Sequence, residues 1–274
     1  MKKLLALILA ALMLASFAAC SNDDGNENAD LKNYLQNEVV VDHEVLSNGE
    51  TFYFDSIDSE TVKITGYEGS TDPHALVIPT TLNNKTVVEI SDQAFYYCSN
   101  LTSVEIPATV TSIGAYAFAG CSQITSLTIP AAVKSIGEAA FYGCSAMTTL
   151  TFAEGSALTE IAKFTFNSCS ALTSVSIPAH IKTVGTGAFL YCSALAEVTV
   201  ADGVEMIGAQ AFQNCTALAK LTLPASVKTI GSLAFSGSEN LYSNGVTCPA
   251  GSAAETFINA MDLTEKPADA TAGA

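Results

Sequence analysis

The chain of 274 residues contains no arginine and no tryptophan, has only three histidines, and is just 14% charged. Its eleven basic residues are all lysine, against 27 acidic ones, so the formal net charge is −16. Nucleic acid recognition calls on clustered Lys and Arg, which excludes nucleic acid as a partner and disfavours anionic lipid surfaces. Acidity of this kind speaks first to solubility. Eleven of the acidic residues fall between 21 and 60, where there is one lysine. His43, His74 and His180 stand in separate contexts, with no acidic residue at a telling spacing. Gly-x-Ser-x-Gly, His-Glu-x-x-His and phosphate-loop motifs are absent. Asp58 and Glu60 sit in an acidic stretch that a solvated strand or turn explains. Neither an enzyme nor a metal or cofactor site is expected.

What is present is a repeat. The segment Ile113–Pro130, IGAYAFAGCSQITSLTIP, recurs with leading residues at Ile90, Ile113, Ile136, Ile161, Val184, Ile207 and Ile230. The spacing is 23 residues throughout, except for 25 between Ile136 and Ile161. A fixed period of this length is the mark of a solenoid, each repeat being one coil stacked on the next. Such a rod offers a long regular surface rather than a cleft, which favours binding over catalysis.

The pattern Ile-Gly-x-x-Ala-Phe-x-x-Cys-x-x-Leu-x-x-Val-x-Ile-Pro resembles the leucine-rich repeat of bacterial BspA-like surface proteins. Ile113, Ala117, Phe118, Cys121, Ile124, Leu127, Ile129 and Pro130 carry the resemblance in one copy. It covers about residues 62–250, and residues 62–90 resemble the irregular first repeat of such arrays. The resemblance implies a right-handed α/β-type solenoid, secretion, and adhesion or ligand capture at a cell surface.

Each copy holds a short alternating stretch, such as Ser103-Val104-Glu105-Ile106, with Val104 and Ile106 facing one way. Stacked copies predict a parallel sheet with strands about 4.8 Å apart. Leu101, Val104, Ile106, Val110, Ile113, Ala117 and Phe118 then fill one coil of a continuous core. Pro107, Pro130, Pro178 and Pro224 follow the strand, where a missing donor costs the ladder least. The Ala-Phe turn is expected as a short helix or 3₁₀ segment, with the Phe rings stacked as an internal ladder. Glycine follows the leading residue at Gly114, Gly137, Gly185, Gly208 and Gly231, but Ser91 and Ala162 replace it. A demand for positive φ would rarely tolerate Ala, so close packing between coils is the expected reason.

Cys98, Cys121, Cys144, Cys169, Cys192 and Cys215 share one repeat position. An exported protein permits disulfides, but equivalent side chains in adjacent coils point the same way rather than at each other. No Cys-x-x-Cys pair or nearby histidine favours metal. A column of reduced, buried thiols is the expectation. Cys248 lies outside it.

Residues 1–19 read as an export signal: Lys2 and Lys3, an apolar run, then small residues before Cys20. The run is too short for a span of about 20 apolar residues. Ala18-Ala19-Cys20 resembles a lipobox, which implies lipidation at Cys20 and anchoring at the bacterial surface, on the outer membrane or the outer face of the cell membrane. Ser16-Phe17-Ala18 also fits an ordinary cleavage site. Residues 20–30 read as a flexible acidic tether. Ser21-Asn22-Asp23-Asp24 resembles a signal for surface display. Residues 31–89 supply an N-terminal cap and irregular first repeat, and residues 90–250 the array. A capping helix is expected over 251–264, opened by the capping box of Ser252 and Glu255. Residues 265–274 read as disordered.

The outward strand positions form rows. One row is Glu105, Thr128, Thr151, Ser176, Thr199 and Thr222. Its neighbour is Ser103, Ser126, Thr149, Ser174, Glu197 and Lys220. A third, at the strand entrance, is Thr102, Thr125, Thr148, Thr173, Ala196 and Ala219. Thr fills solvent-facing strand positions well in any case, but the rows also form a broad polar contact face. Tyr96, Tyr97, Tyr116, Tyr142 and Tyr191 cluster in the turns and offer an alternative face. The expected function is a surface adhesin or ligand-capture lipoprotein. It would be a monomer that binds an extracellular protein or glycan and meets the membrane only through its lipid. The alternative is a structural or spacer protein of the envelope.

Overall fold

A computed structural model describes residues 42–242 and 245–261. The export signal, Cys20, the acidic tether and residues 265–274 lie outside the described residues.

The N-terminal cap is a hairpin system. Strands β1 (His43–Val45), β2 (Thr51–Ser56) and β3 (Thr61–Glu68) pair antiparallel. After β4 (His74–Val77) and β5 (Thr81–Leu82), strand β6 (Lys85–Ile90) runs parallel to β3 and begins the stack. The antiparallel hairpin gives the first coil a sheet edge that is already paired on its outer side, which blunts that end of the rod.

From there, longer and two-residue strands alternate along the chain. They are β7 (Leu101–Glu105), β8 (Ser112–Ile113), β9 (Ser126–Ile129), β10 (Ser135–Ile136), β11 (Thr149–Phe152), β12 (Glu160–Ile161) and β13 (Ser174–Ile177). They continue as β14 (Thr183–Val184), β15 (Glu197–Val200), β16 (Met206–Ile207), β17 (Lys220–Thr222), β18 (Thr229–Ile230) and β19 (Val246–Thr247). The longer strands stack in one column and the two-residue strands in a second, all parallel, with paired coils in register at one repeat, as with Thr151 on Thr128 and Val184 on Ile161; β7 pairs with β4 and not with β9. This is the expected parallel sheet face. Between coils 136 and 161, both columns lapse at once: β10 is not paired with β12, nor β11 with β13. The cause is the 25-residue repeat, whose extra residues form a turn at Ala153–Ser156 and shift the strands out of register.

The core is a set of columns along the rod. Phe95, Phe118, Phe141, Phe166, Phe189, Phe212 and Phe235 stack with ring centroids 4.8–5.6 Å apart. The expected ladder is therefore present, and its ends are covered. Tyr67 and Phe52 lie against Phe95, and Phe257 meets Phe235 edge-on at 6.3 Å. Phe257 belongs to helix α1 (Ala253–Ala260). Its N-cap Ser252 accepts from the Glu255 amide, while the Glu255 carboxylate accepts from the Gly251 amide. Ala254 and Ile258 are buried beneath it. The helix ends one turn short of 264, and residues 262–264 lie outside the described residues.

The Ala-Phe turns close with i→i+3 hydrogen bonds, the 3₁₀ bond, such as Ala119 N–H to Tyr116 C=O and Cys121 N–H to Phe118 C=O. They do not become helix, because every other N–H leaves the turn for the next coil. Phe118 donates to Ala140 and Gly120 to Tyr142, each at 2.7 Å. To aim those groups along the rod, each turn places two residues four apart in the left-handed region. Tyr116 and Gly120 are one such pair, and Gln210 and Asn214 another.

The glycines after the leading residue have no positive φ; a Cβ on Gly208 would lie 2.6 Å from Gly185 C and Thr186 N. Close approach between coils is therefore the reason for glycine. Ala162 stands at the level where the short ladder lapses, and Ser91 above the register shift of β3 on β6.

Candidate functional site

Two rows of the sheet face carry free hydroxyls. Ser126, Thr128, Thr149, Thr151, Ser174, Ser176 and Thr222 are exposed and Thr199 is half-exposed. Alternation puts Leu127, Leu150 and Val175 into the core, so their neighbours must face water. Among the described residues these hydroxyls meet no protein partner, and the register sets Thr149 beside Ser126 and Thr151 beside Thr128. Ser103 is half-buried and Glu105 exposed at the N-terminal end. At the other end Glu197 and Lys220 form an exposed ion pair at 3.9 Å, so the one strong charge contrast is locally neutralised. Lapses between β7 and β9 and between β11 and β13 divide the face into three panels.

The third row behaves differently. Thr125 Oγ1 donates to the Thr102 carbonyl and Thr148 Oγ1 to the Thr125 carbonyl. These hydroxyls serve coil stacking and are not open to a ligand. The residue after four of the column cysteines does the same: Ser145, Ser170, Ser193 and Thr216 donate to the equivalent carbonyl one coil below. The sequence reading missed that second column.

On the turn side Tyr97, Tyr116, Tyr142 and Tyr191 are exposed, and Tyr96 is half-buried with its ring edge-on to Tyr97 at 4.5 Å. The Tyr97 ring lies over Gly120, so it sits flat against the next coil. Tyr191 is well separated along the rod from the other four.

The cysteine column is reduced, and its five members from Cys121 to Cys215 are buried. Each thiol donates to the carbonyl of the Phe one coil below, from Cys121 to Phe95 at 3.2 Å through to Cys215 to Phe189 at 3.3 Å. Burial pushes these thiols well above the ordinary value; Cys215 reaches about 12. Cys98 departs from the expectation. It is only half-buried, because the coil beneath it is the irregular first repeat, and burial raises it to about 11. Cys248 is also free.

The structure brings together one polar cluster that spacing did not reveal. Tyr67 Oη lies 3.0 Å from Glu50 Oε1 and 2.9 Å from His74 Nε2. Asn48 Nδ2 donates to Glu50 Oε2, and His74 Nδ1 lies 2.8 Å from the Asp72 carbonyl. A carbonyl only accepts, so Nδ1 carries the proton and Nε2 faces the phenol. Burial, then Glu50, raises the Tyr67 phenol above its ordinary range. The turn before β2 and strands β3 and β4 contribute, which is why no local motif announces the cluster. It ties the cap to the first coil. Among the described residues, no group of three or more His, Cys, Asp or Glu side chains is placed to hold a metal ion.

Residues 88–218 match the family described as BspA type leucine rich repeat region, in six copies. No curated protein matches the chain. A leucine rich cell surface protein from Faecalibacterium prausnitzii A2-165 is 34% identical with a TM-score of 0.63, over 76% of this chain and 54% of its own. The pneumococcal vaccine antigen PcpA is 28% identical with a TM-score of 0.51, over 77% of this chain and 51% of its own. This chain thus spans about half the length of those two proteins. The leucine rich repeat protein of T. pallidum shares the fold, with a TM-score of 0.64 at 24% identity, over 84% of this chain and 96% of its own. With its repeat period, its stacked Phe and Cys columns and its parallel strand columns, the array of this chain belongs to the BspA-type leucine-rich repeats.

Proposed function

We propose that this is an exported surface protein, held by a lipid on Cys20, that captures an extracellular protein or glycan through its sheet face. The observation that carries the reading is the contrast between rows. The hydroxyls at Ser126, Thr128, Thr149, Thr151, Ser174 and Ser176 meet no partner among the described residues, whereas Thr125 and Thr148 at the strand entrance are engaged in coil stacking. Likeness to a cell surface protein and to a surface-type repeat family supports the location. Six strands at about 4.8 Å make a face roughly 25–30 Å long, enough for one modest interface. With little charge on the face, affinity is weak and changes little with salt.

The test is a panel of matrix proteins and glycans against the full chain and its Thr128→Lys/Thr151→Lys variant. Both side chains point to water, so the variant folds. The reading requires that the parent bind and the variant not. Binding that survives the double change but is lost with Tyr116→Ala/Tyr142→Ala would move the site to the turn side. No binding across the panel would leave the spacer role.

A further inference from the structure

The hydrogen bonds of the turn column all run one way. In six successive coil pairs, three alternate turn N–H groups donate to three alternate carbonyls of the following coil, at 2.7–3.0 Å. Gly187, Phe189 and Tyr191, for example, donate to Ala209, Ala211 and Gln213. The seventh turn has the same backbone, with Leu233 and Gly237 in the left-handed region. Among the described residues no eighth turn follows it. The N–H groups of Leu233, Phe235 and Gly237 meet no acceptor among the described residues. They lie along a groove of about 400 Å³, walled by Phe257 and Met261 of the helix end.

We propose that this groove receives a turn-forming peptide segment of a partner protein, added to the end of the turn column. Its alternate carbonyls would accept from Leu233, Phe235 and Gly237, and its central residue would be small. The protein itself supplies the template for this occupant. The central accepting residues within the array are Ala117, Ala140, Thr165, Ala188, Ala211 and Ala234, all buried. Those accepting segments are themselves turns closed by i→i+3 bonds, so the occupant takes up the same turn when it docks. The donors lie in a row rather than converging, and Glu239 lines the groove without any lysine. That arrangement disfavours a phosphate or carboxylate and fits neutral carbonyls. This inference does not depend on the sheet face.

The probe is a synthetic peptide of residues 208–214 with Phe212→Ser, since Phe257 already covers Phe235 where a Phe would stack. It is titrated into the otherwise unaltered protein and amide exchange and chemical shifts are followed by NMR. At saturation the amides of Leu233, Phe235 and Gly237 should exchange at least roughly tenfold more slowly, as amides newly bonded to carbonyls do. A peptide that also carries Ala211→Leu should leave them unchanged. Silence at all three amides with the first peptide, or equal protection by the second, would overturn the proposal. A chain ending at Met261 provides the remaining arm. If its three amides exchange faster than in the full chain without peptide, residues 262–274 fill the groove and a partner does not. Unchanged exchange supports the partner.

Discussion

The buried thiol column makes the protein sensitive to alkali. Cys121, Cys144, Cys169, Cys192 and Cys215 are shut from water, and burial holds them un-ionised far above the ordinary thiol value of 9.0. Once unfolded, the same thiols ionise freely above that value. Stability is therefore full below pH 9 and falls as pH rises towards the folded values. At pH 10 each thiol favours the unfolded chain by about 1.4 kcal/mol, so five remove about 7 kcal/mol. That is comparable with the whole net stability of a domain, about 5–15 kcal/mol. Urea unfolding followed by circular dichroism at pH 7, 9 and 10, with reductant present, should show the collapse. Cys169→Ala should cost about 1 kcal/mol at pH 7 through a small cavity. It should then lose about 1.4 kcal/mol less than the parent between pH 7 and pH 10. Tyr53 and Tyr67, also raised by burial, act alike in both proteins and cancel in that difference. If the variant and the parent weakened in parallel, the thiols would not be the cause.

Further outcomes follow from other columns. Gly208→Ala should destabilise by about 1–3 kcal/mol through overpacking, while Ala162→Gly should have a much smaller effect; equal urea midpoints would refute the close-approach argument. Phe166→Ala interrupts the ring ladder and should cost about 3–5 kcal/mol by thermal or urea unfolding. Tyr67→Phe removes the hydroxyl between Glu50 and His74 and should cost about 1–3 kcal/mol, since a buried carboxylate loses a donor; a neutral result would mean that water replaces the hydroxyl. Cys20→Ser should abolish lipid labelling and release the protein from the membrane fraction, with intact mass as the measurement; labelling that survives would place the lipid elsewhere.

The features legible in the sequence were those written at every period. Phe118 and its equivalents announced a ladder, the cysteines a column, and Gly208 and its equivalents a close approach, because each recurs in register. The outward rows were legible from alternation alone. The turn backbone was not. Tyr116, Ala139, Phe164 and Leu233 adopt left-handed conformations with φ of 54–59°, yet none is Gly or Asn, the residues that normally mark such positions. Hydrogen bonds to the next coil hold them there, and those exist only once coils stack. The partial exposure of Cys98 was hidden for a related reason: the coil beneath it breaks the pattern. The Glu50, Tyr67 and His74 cluster joins a turn and two separate strands of the cap, which has no repeat to read.

The long repeat also has a mechanical meaning. Between coils 136 and 161 both strand ladders lapse, while the turn column runs on, with Ala139, Phe141 and Gly143 donating to Lys163, Thr165 and Asn167. Phe141 and Phe166 stack across the same level at 5.6 Å. Bending compliance is therefore concentrated at one level and on one side of the rod. Flexed towards its turns, the solenoid can splay the sheet panels on either side of that level without breaking a strand hydrogen bond. Loaded along its axis, the solenoid would part first at that seam, into two blocks that each keep their own ladders.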